Sequence, residues 1–82
     1  MRKARYFIRT MIESEDKIVV RDGSARYATL REAREALKRL TIAYGTDMKF
    51  RFSIDKKTLR RYYEGDDTYF IHSILPIKLL QK

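Results

Sequence analysis

Residues 26–45, RYATLREAREALKRLTIAYG, decide the fold. Thr29 is followed three positions later by Glu32. That is the spacing of a capping box, in which each side chain satisfies a backbone N–H at the start of a helix. Leu30, Ala33, Leu37, Leu40 and Tyr44 then recur at helical spacing, and with Ala36 and Ala43 they make one apolar arc. Arg31, Arg34 and Lys38 lie together on its flank, Glu35 and Arg39 stand four apart in the favoured order, and Gly45 supplies a natural C′ residue. Ile42 fits neither face and reads as a subunit contact or as a plain exposed Ile. The prediction is one long amphipathic helix that strands on either side must cover.

On the N-terminal side, residues 4–13 alternate. Tyr6, Ile8, Thr10 and Ile12 face one way, and Phe7, Arg9, Met11 and Glu13 the other, so one face is buried. Glu13-Ser14-Glu15-Asp16 is a polar turn, and residues 17–21 are a β-branched second strand antiparallel to the first. Asp22-Gly23-Ser24 is a turn signal, because Asp-Gly supplies the positive φ of tight hairpin turns. Residues 25–28 are either a short third strand or the lead into the helix.

On the C-terminal side, Thr46-Asp47 is a loop. Met48, Phe50, Phe52 and Ile54 alternate with Lys49, Arg51 and Ser53, which makes a half-buried strand. Asp55 caps a short helix over residues 56–64 whose apolar side is Leu59, Tyr62 and Tyr63, and Gly65-Asp66-Asp67 ends it. Residues 68–75 are a last strand, which Pro76 restricts to an edge or terminates, and residues 77–80 are an apolar tail. The expected fold class is α+β. A small antiparallel sheet of four to five strands, in the order β-β-(β)-α-β-α-β, carries one long amphipathic helix on one face and one short basic helix, as a single domain over residues 1–82.

A chain of 82 residues buries about 60% of its unfolded surface, so the core is small. The absence of cysteine excludes a disulfide framework, a thiolate metal site and a cysteine nucleophile, and it fits a reducing compartment. Tyr6-Phe7-Ile8 is too short for a signal-peptide apolar region, and no run approaches a membrane span, so a cytoplasmic protein is expected. Net charge is +8, and the excess is spread over residues 1–28, 29–45 and 46–82 as +3, +2 and +3. A basic surface that belongs to the folded body points to an anionic partner such as nucleic acid, an acidic protein or a membrane surface, or else serves solubility alone.

Five features compete for function. The first is Lys56-Lys57-Thr58-Leu59-Arg60-Arg61-Tyr62-Tyr63. On a helix, Lys56/Arg60 and Lys57/Arg61 are like-charge pairs, and two lysines occupy the first turn against the macrodipole. A sequence that accepts both costs presents cations to an anion such as phosphate, with Tyr62 or Tyr63 available to stack on a base. The alternative is a solvated helix face with both tyrosines in the core. The second feature is the Arg31/Arg34/Lys38 stripe, which joins the first if the two helices lie side by side. The third is Arg9, Lys49 and Arg51, with Arg5 or Lys17, as a basic open sheet face or simply the wet face of the sheet. The fourth, the acidic groups Glu13/Glu15/Asp16 and Glu64/Asp66/Asp67, lacks calcium-loop spacing, and His72 reads as a structural strand residue with no partners for a zinc site. The fifth is the apolar run 69–80, where Tyr69, Ile71, Ile74, Ile77 and Leu79 form a candidate oligomer or partner edge, paired within the fold or across a homodimer axis.

No nucleophile elbow, phosphate loop, dinucleotide fingerprint or metal-ligand set is present. The chain therefore reads as a non-enzyme without cofactor, metal or small-molecule substrate. The span DGSARYATLREAREAL is similar to the hairpin-then-helix of the AP2-like arm domains of phage-type integrases, carried here by Asp22, Gly23, Thr29, Glu32, Ala33 and Ala36. It covers about a fifth of the chain and implies DNA as ligand, while the second half departs from the pattern. The first expectation is a small basic nucleic-acid-binding accessory domain, DNA before RNA, that contacts phosphates through Lys56, Lys57, Arg60, Arg61, Arg31, Arg34 and Lys38. The alternative is a small protein-interaction module or inhibitor, of the kind phages and mobile elements encode, docking on a larger host enzyme.

Overall fold

The computed structural model describes residues 3–43, 48–52, 56–63, 65 and 67–80. Strand β1 (Tyr6–Glu13) turns back into β2 (Ile18–Asp22), the helix α1 (Leu30–Ala43) follows, and then come β3 (Met48–Phe52), β4 (Thr58–Tyr63) and β5 (Thr68–Pro76), closed by a 3-10 turn at Ile77–Leu80. The five strands form one sheet in the order β2-β1-β5-β4-β3, antiparallel at every junction. The helix lies over β1 and β5, the two strands farthest apart in sequence. Among the described residues no helix is long and apolar enough to cross a membrane.

The helix starts where the capping box places it. Thr29 Oγ1 accepts from the Glu32 N–H at 3.2 Å, and Glu32 Oε2 accepts from the Ala28 N–H at 3.1 Å. Its apolar arc supplies the core: Ala33 and Leu37 are fully buried against Leu59 and Ile74, with Tyr6, Ile8, Tyr27, Leu30, Leu40 and Phe50 packed around them. Glu35 pairs with Arg31 at 3.7 Å, one turn back, where the sequence offered Arg39. The C′ role of Gly45 and the place of Tyr44 in the arc lie outside the described residues, as do Thr46, Asp47, Ser53, Ile54, Asp55, Glu64 and Asp66.

The short basic helix expected over residues 56–64 is a strand. Residues 58–63 pair antiparallel with β5 on one side, Leu59 opposite His72 and Arg61 opposite Phe70, and with β3 on the other, Arg60 opposite Arg51. The expected two-helix α+β arrangement is therefore replaced by one helix on a five-stranded sheet. Six residues of TLRRYY fit period 2 as well as period 3.6. A short helix gains little beyond its nucleation cost, whereas strands on both sides supply backbone partners for this one. Clustered cations in a first turn were a cost of the helix, and the extended chain sends Arg60 and Arg61 to opposite faces instead.

Two further readings change. Asp22-Gly23 is not the hairpin turn: Gly23 has no positive φ, and the β1–β2 reversal runs through Ser14–Lys17, where Ser14 N–H donates to the Lys17 carbonyl at 3.0 Å. Gly23 instead continues along β1, donating to the Ile8 carbonyl at 2.9 Å, and Tyr27 makes an isolated bridge to Tyr6. Pro76 terminates β5, which is the middle strand and not an edge; Ile77 N–H resumes the bonding with the Arg5 carbonyl at 2.8 Å.

Candidate functional site

In an antiparallel sheet, residues directly opposite share a face, so the register assigns every strand residue a side. Ile8, Thr10, Ile74, His72, Phe70, Leu59, Arg61, Tyr63 and Phe50 fall on the side that α1 covers. The open side carries Glu13, Tyr69, Tyr62 and Lys49 in one row. Val20, Met11, Ile71, Arg60 and Arg51 make the next, and Asp22, Arg9, Ser73 and Thr58 the one after.

The first two rows form the site. Tyr62 and Tyr69 stack with ring centroids 4.7 Å apart and planes tilted by 33°. The Tyr62 hydroxyl donates to Asp67 Oδ1, which holds its ring from the β4–β5 turn. Lys49, Arg51 and Arg60 are exposed beside these rings, and together with Glu13 and Ile71 they line one shallow concavity. Tyr69 remains 46% exposed, so one ring of the pair meets solvent. Arg9, on the same face, is committed elsewhere: it binds Asp22 through Nε–Oδ1 at 2.6 Å and Nη2–Oδ2 at 3.3 Å. The Arg9 guanidinium holds the Asp22 carboxyl below its ordinary range, chiefly through that hydrogen bond. Phe7 is fully buried on this side, with the guanidinium groups of Arg9 and Arg26 at 5.5 and 5.8 Å from its ring centroid.

The seven cations expected to act together do not share a surface. Arg60 belongs to the open face. Arg61 points the other way, is 2% exposed, and stacks 4.4 Å above Phe70. Lys56 and Lys57 are exposed just before β4, where Lys56 adopts a φ of 58° and the Lys57 carbonyl accepts from Ile74 N–H at 2.8 Å. Arg31, Arg34 and Lys38 ride on α1, across the sheet from Arg60. Of the two tyrosines proposed for stacking, Tyr62 is on the open face and Tyr63 on the covered one. The residues proposed as a partner edge are dispersed too: Ile74 is in the core, Tyr69 and Ile71 are on the open face, and Ile77 and Leu79 lie in the 3-10 turn. Their strand is flanked by β1 and β4 and has no open edge.

Under the helix, a polar chain crosses three strands. Arg61 Nε–H donates to His72 Nε2 at 2.9 Å, and His72 Nδ1 is 2.8 Å from Thr10 Oγ1. Arginine cannot act as an acceptor, so Nε2 carries no proton, Nδ1 carries it, and Nδ1–H donates to Thr10. Burial, and secondarily the Arg61 charge, push the His72 pKa down to about 4. This is a neutral structural histidine. Among the described residues no group of three His, Asp or Glu side chains is placed to hold a metal ion.

Sequence reasoning missed the Tyr62–Tyr69 pair because it placed residue 62 on a helix. The available signal was alternation: Arg60 and Tyr62 on one strand, Tyr69 and Ile71 on the next, separated by a short turn. Compared with known proteins, the chain matches no family model, no curated protein and no solved structure, so the likeness to AP2-like arm domains rests on the six positions that carry it.

Proposed function

We propose that the protein binds a single strand of nucleic acid across the open face of its sheet. The observation that carries this reading is the stacked Tyr62–Tyr69 pair with Lys49, Arg51 and Arg60 beside it on one face. Aromatic rings on a sheet surface offer base-stacking platforms, and neighbouring cations neutralise phosphates; that combination suits strands whose base faces are accessible, which a duplex hides. An apolar neighbour, Ile71, widens the platform. Binding, not catalysis, is the role assigned.

The test is fluorescence anisotropy with matched single-stranded DNA, single-stranded RNA and duplex oligonucleotides across a salt series. Single strands are expected to bind more tightly than duplex and to weaken steeply with salt, and Tyr69→Ala to cost about 1–3 kcal/mol. No binding of any strand at low salt refutes the reading; comparison of the DNA and RNA arms identifies the sugar.

A second reading, a protein-interaction module, draws on the outer strand β2, where Ile18 and Val20 are 61% and 53% exposed. Apolar residues on an unpaired edge are a template for strand addition. Val20→Lys is expected to abolish such a contact, and Tyr69→Ala to leave it intact.

A further inference from the structure

We infer that Glu13 selects guanine at the stacking position, a step that rests on the single-strand reading above. Glu13 closes β1 directly opposite Tyr69, which puts the two Cβ atoms about 5 Å apart. It is exposed and lines the same concavity as Tyr62, Tyr69, Lys49, Arg51 and Arg60. Among the described residues no hydrogen bond or ion pair occupies its carboxylate.

The face is therefore polarised from one side to the other. Cations stand on β3 and β4, the ring pair spans β4 and β5, and β1 carries the Glu13 carboxylate, its Arg9 being neutralised by Asp22. A phosphate is attracted to the β3–β4 side and repelled from the β1 side. A strand seated this way runs its backbone over Arg60 and Arg51, lays a base on Tyr69, and aims that base's Watson–Crick edge at Glu13. An ionised carboxylate offers acceptors only, through two oxygens. Guanine presents two adjacent donors on that edge, N1–H and the N2 amino group, which match those two oxygens. Adenine and cytosine present one amino donor beside an acceptor nitrogen, and uracil and thymine present one donor between two acceptors. A cation at residue 13 would hold the phosphate and read nothing; a carboxylate there adds little to affinity and discriminates bases.

The experiment measures the affinity of the whole chain for otherwise identical pyrimidine oligonucleotides that carry one central guanine, inosine, adenine or uracil. Guanine is expected to bind roughly tenfold more tightly than adenine or uracil, the scale of one bidentate base contact. Inosine, which lacks the N2 amino group, is expected to lose most of that advantage. Glu13→Gln, which offers one donor and one acceptor in the same shape, is expected to collapse the guanine preference by lowering the affinity for the guanine strand toward that of the adenine and uracil strands. Binding of all four strands with equal affinity overturns the inference and leaves the single-strand reading standing. An unchanged guanine preference in Glu13→Gln also overturns it. Failure of every strand to bind removes both readings together, and the inosine comparison needs no variant, so a folding defect in Glu13→Gln does not obscure the outcome.

Discussion

Lowering the pH should destabilise this protein through one histidine. His72 is 5% exposed and bonded on both ring nitrogens, donating to Thr10 and accepting from Arg61. Protonation removes the acceptor that Arg61 Nε–H uses and places a second positive charge against a buried guanidinium. The folded pKa of about 4 lies below the ordinary 6.5, so the unfolded chain binds more protons between those two values. The contribution to stability is complete above pH 6.5, falls as pH drops from 6.5 through 4, and is lost below that. Its ceiling is about 3 kcal/mol at 1.36 kcal/mol per pH unit, and about 2 kcal/mol after solvent screening. For a domain of this size that lowers the melting temperature by roughly 10 °C. The assay is urea denaturation at pH 7, 6, 5 and 4.5, a window above the carboxylate range where Asp22 contributes its own pH dependence. His72→Gln, which keeps an acceptor for Arg61 and does not titrate, should show a flat profile there. Arg61→Met should move the histidine's titration upward, though still below 6.5, because burial is the larger cause of its shift. A wild-type profile flat from pH 7 to 4.5, or an equal slope in His72→Gln, refutes the assignment.

Three other outcomes follow from the geometry. Thr29→Ala removes the acceptor for Glu32 N–H and should cost about 1 kcal/mol in thermal denaturation, with Glu32→Ala costing a comparable amount. At Gly23 an added Cβ would stand 3.1 Å from the Ile8 carbonyl oxygen, which is backbone and already receives the Gly23 N–H, so Gly23→Ala should destabilise by about 1 kcal/mol through displacement of β2 from β1. Arg60→Ala and Arg61→Ala should diverge although the residues are adjacent. The first should leave the melting temperature unchanged and reduce the salt slope of oligonucleotide binding by roughly 0.7, whereas the second should destabilise the fold.

Local chemistry sufficed for the helix. Thr29 and Glu32 mark its start, and Leu30, Ala33, Leu37 and Leu40 mark its buried arc, because capping and 3.6-residue periodicity act within a few positions of one chain. Alternation likewise marked β1 and β3, and β-branched composition marked β2. Residues 58–63 fit either period. Their state was decided by β3 and β5, whose backbone groups complete the ladder on either side, and no local pattern encodes the presence of those neighbours. Everything about the site depends on that decision. As a helix, the stretch puts Arg60 and Arg61 together; as a strand, it buries Arg61 beneath α1 with His72 and Thr10, and it sets Arg60 and Tyr62 beside Tyr69 on the open face. The sequence by itself determined the helix and a basic, cysteine-free chain with most of its strands, since these depend on residue type and short-range spacing. Only the tertiary structure decided which cations and rings share a surface, because a residue's face is set by register against strands far away in the chain.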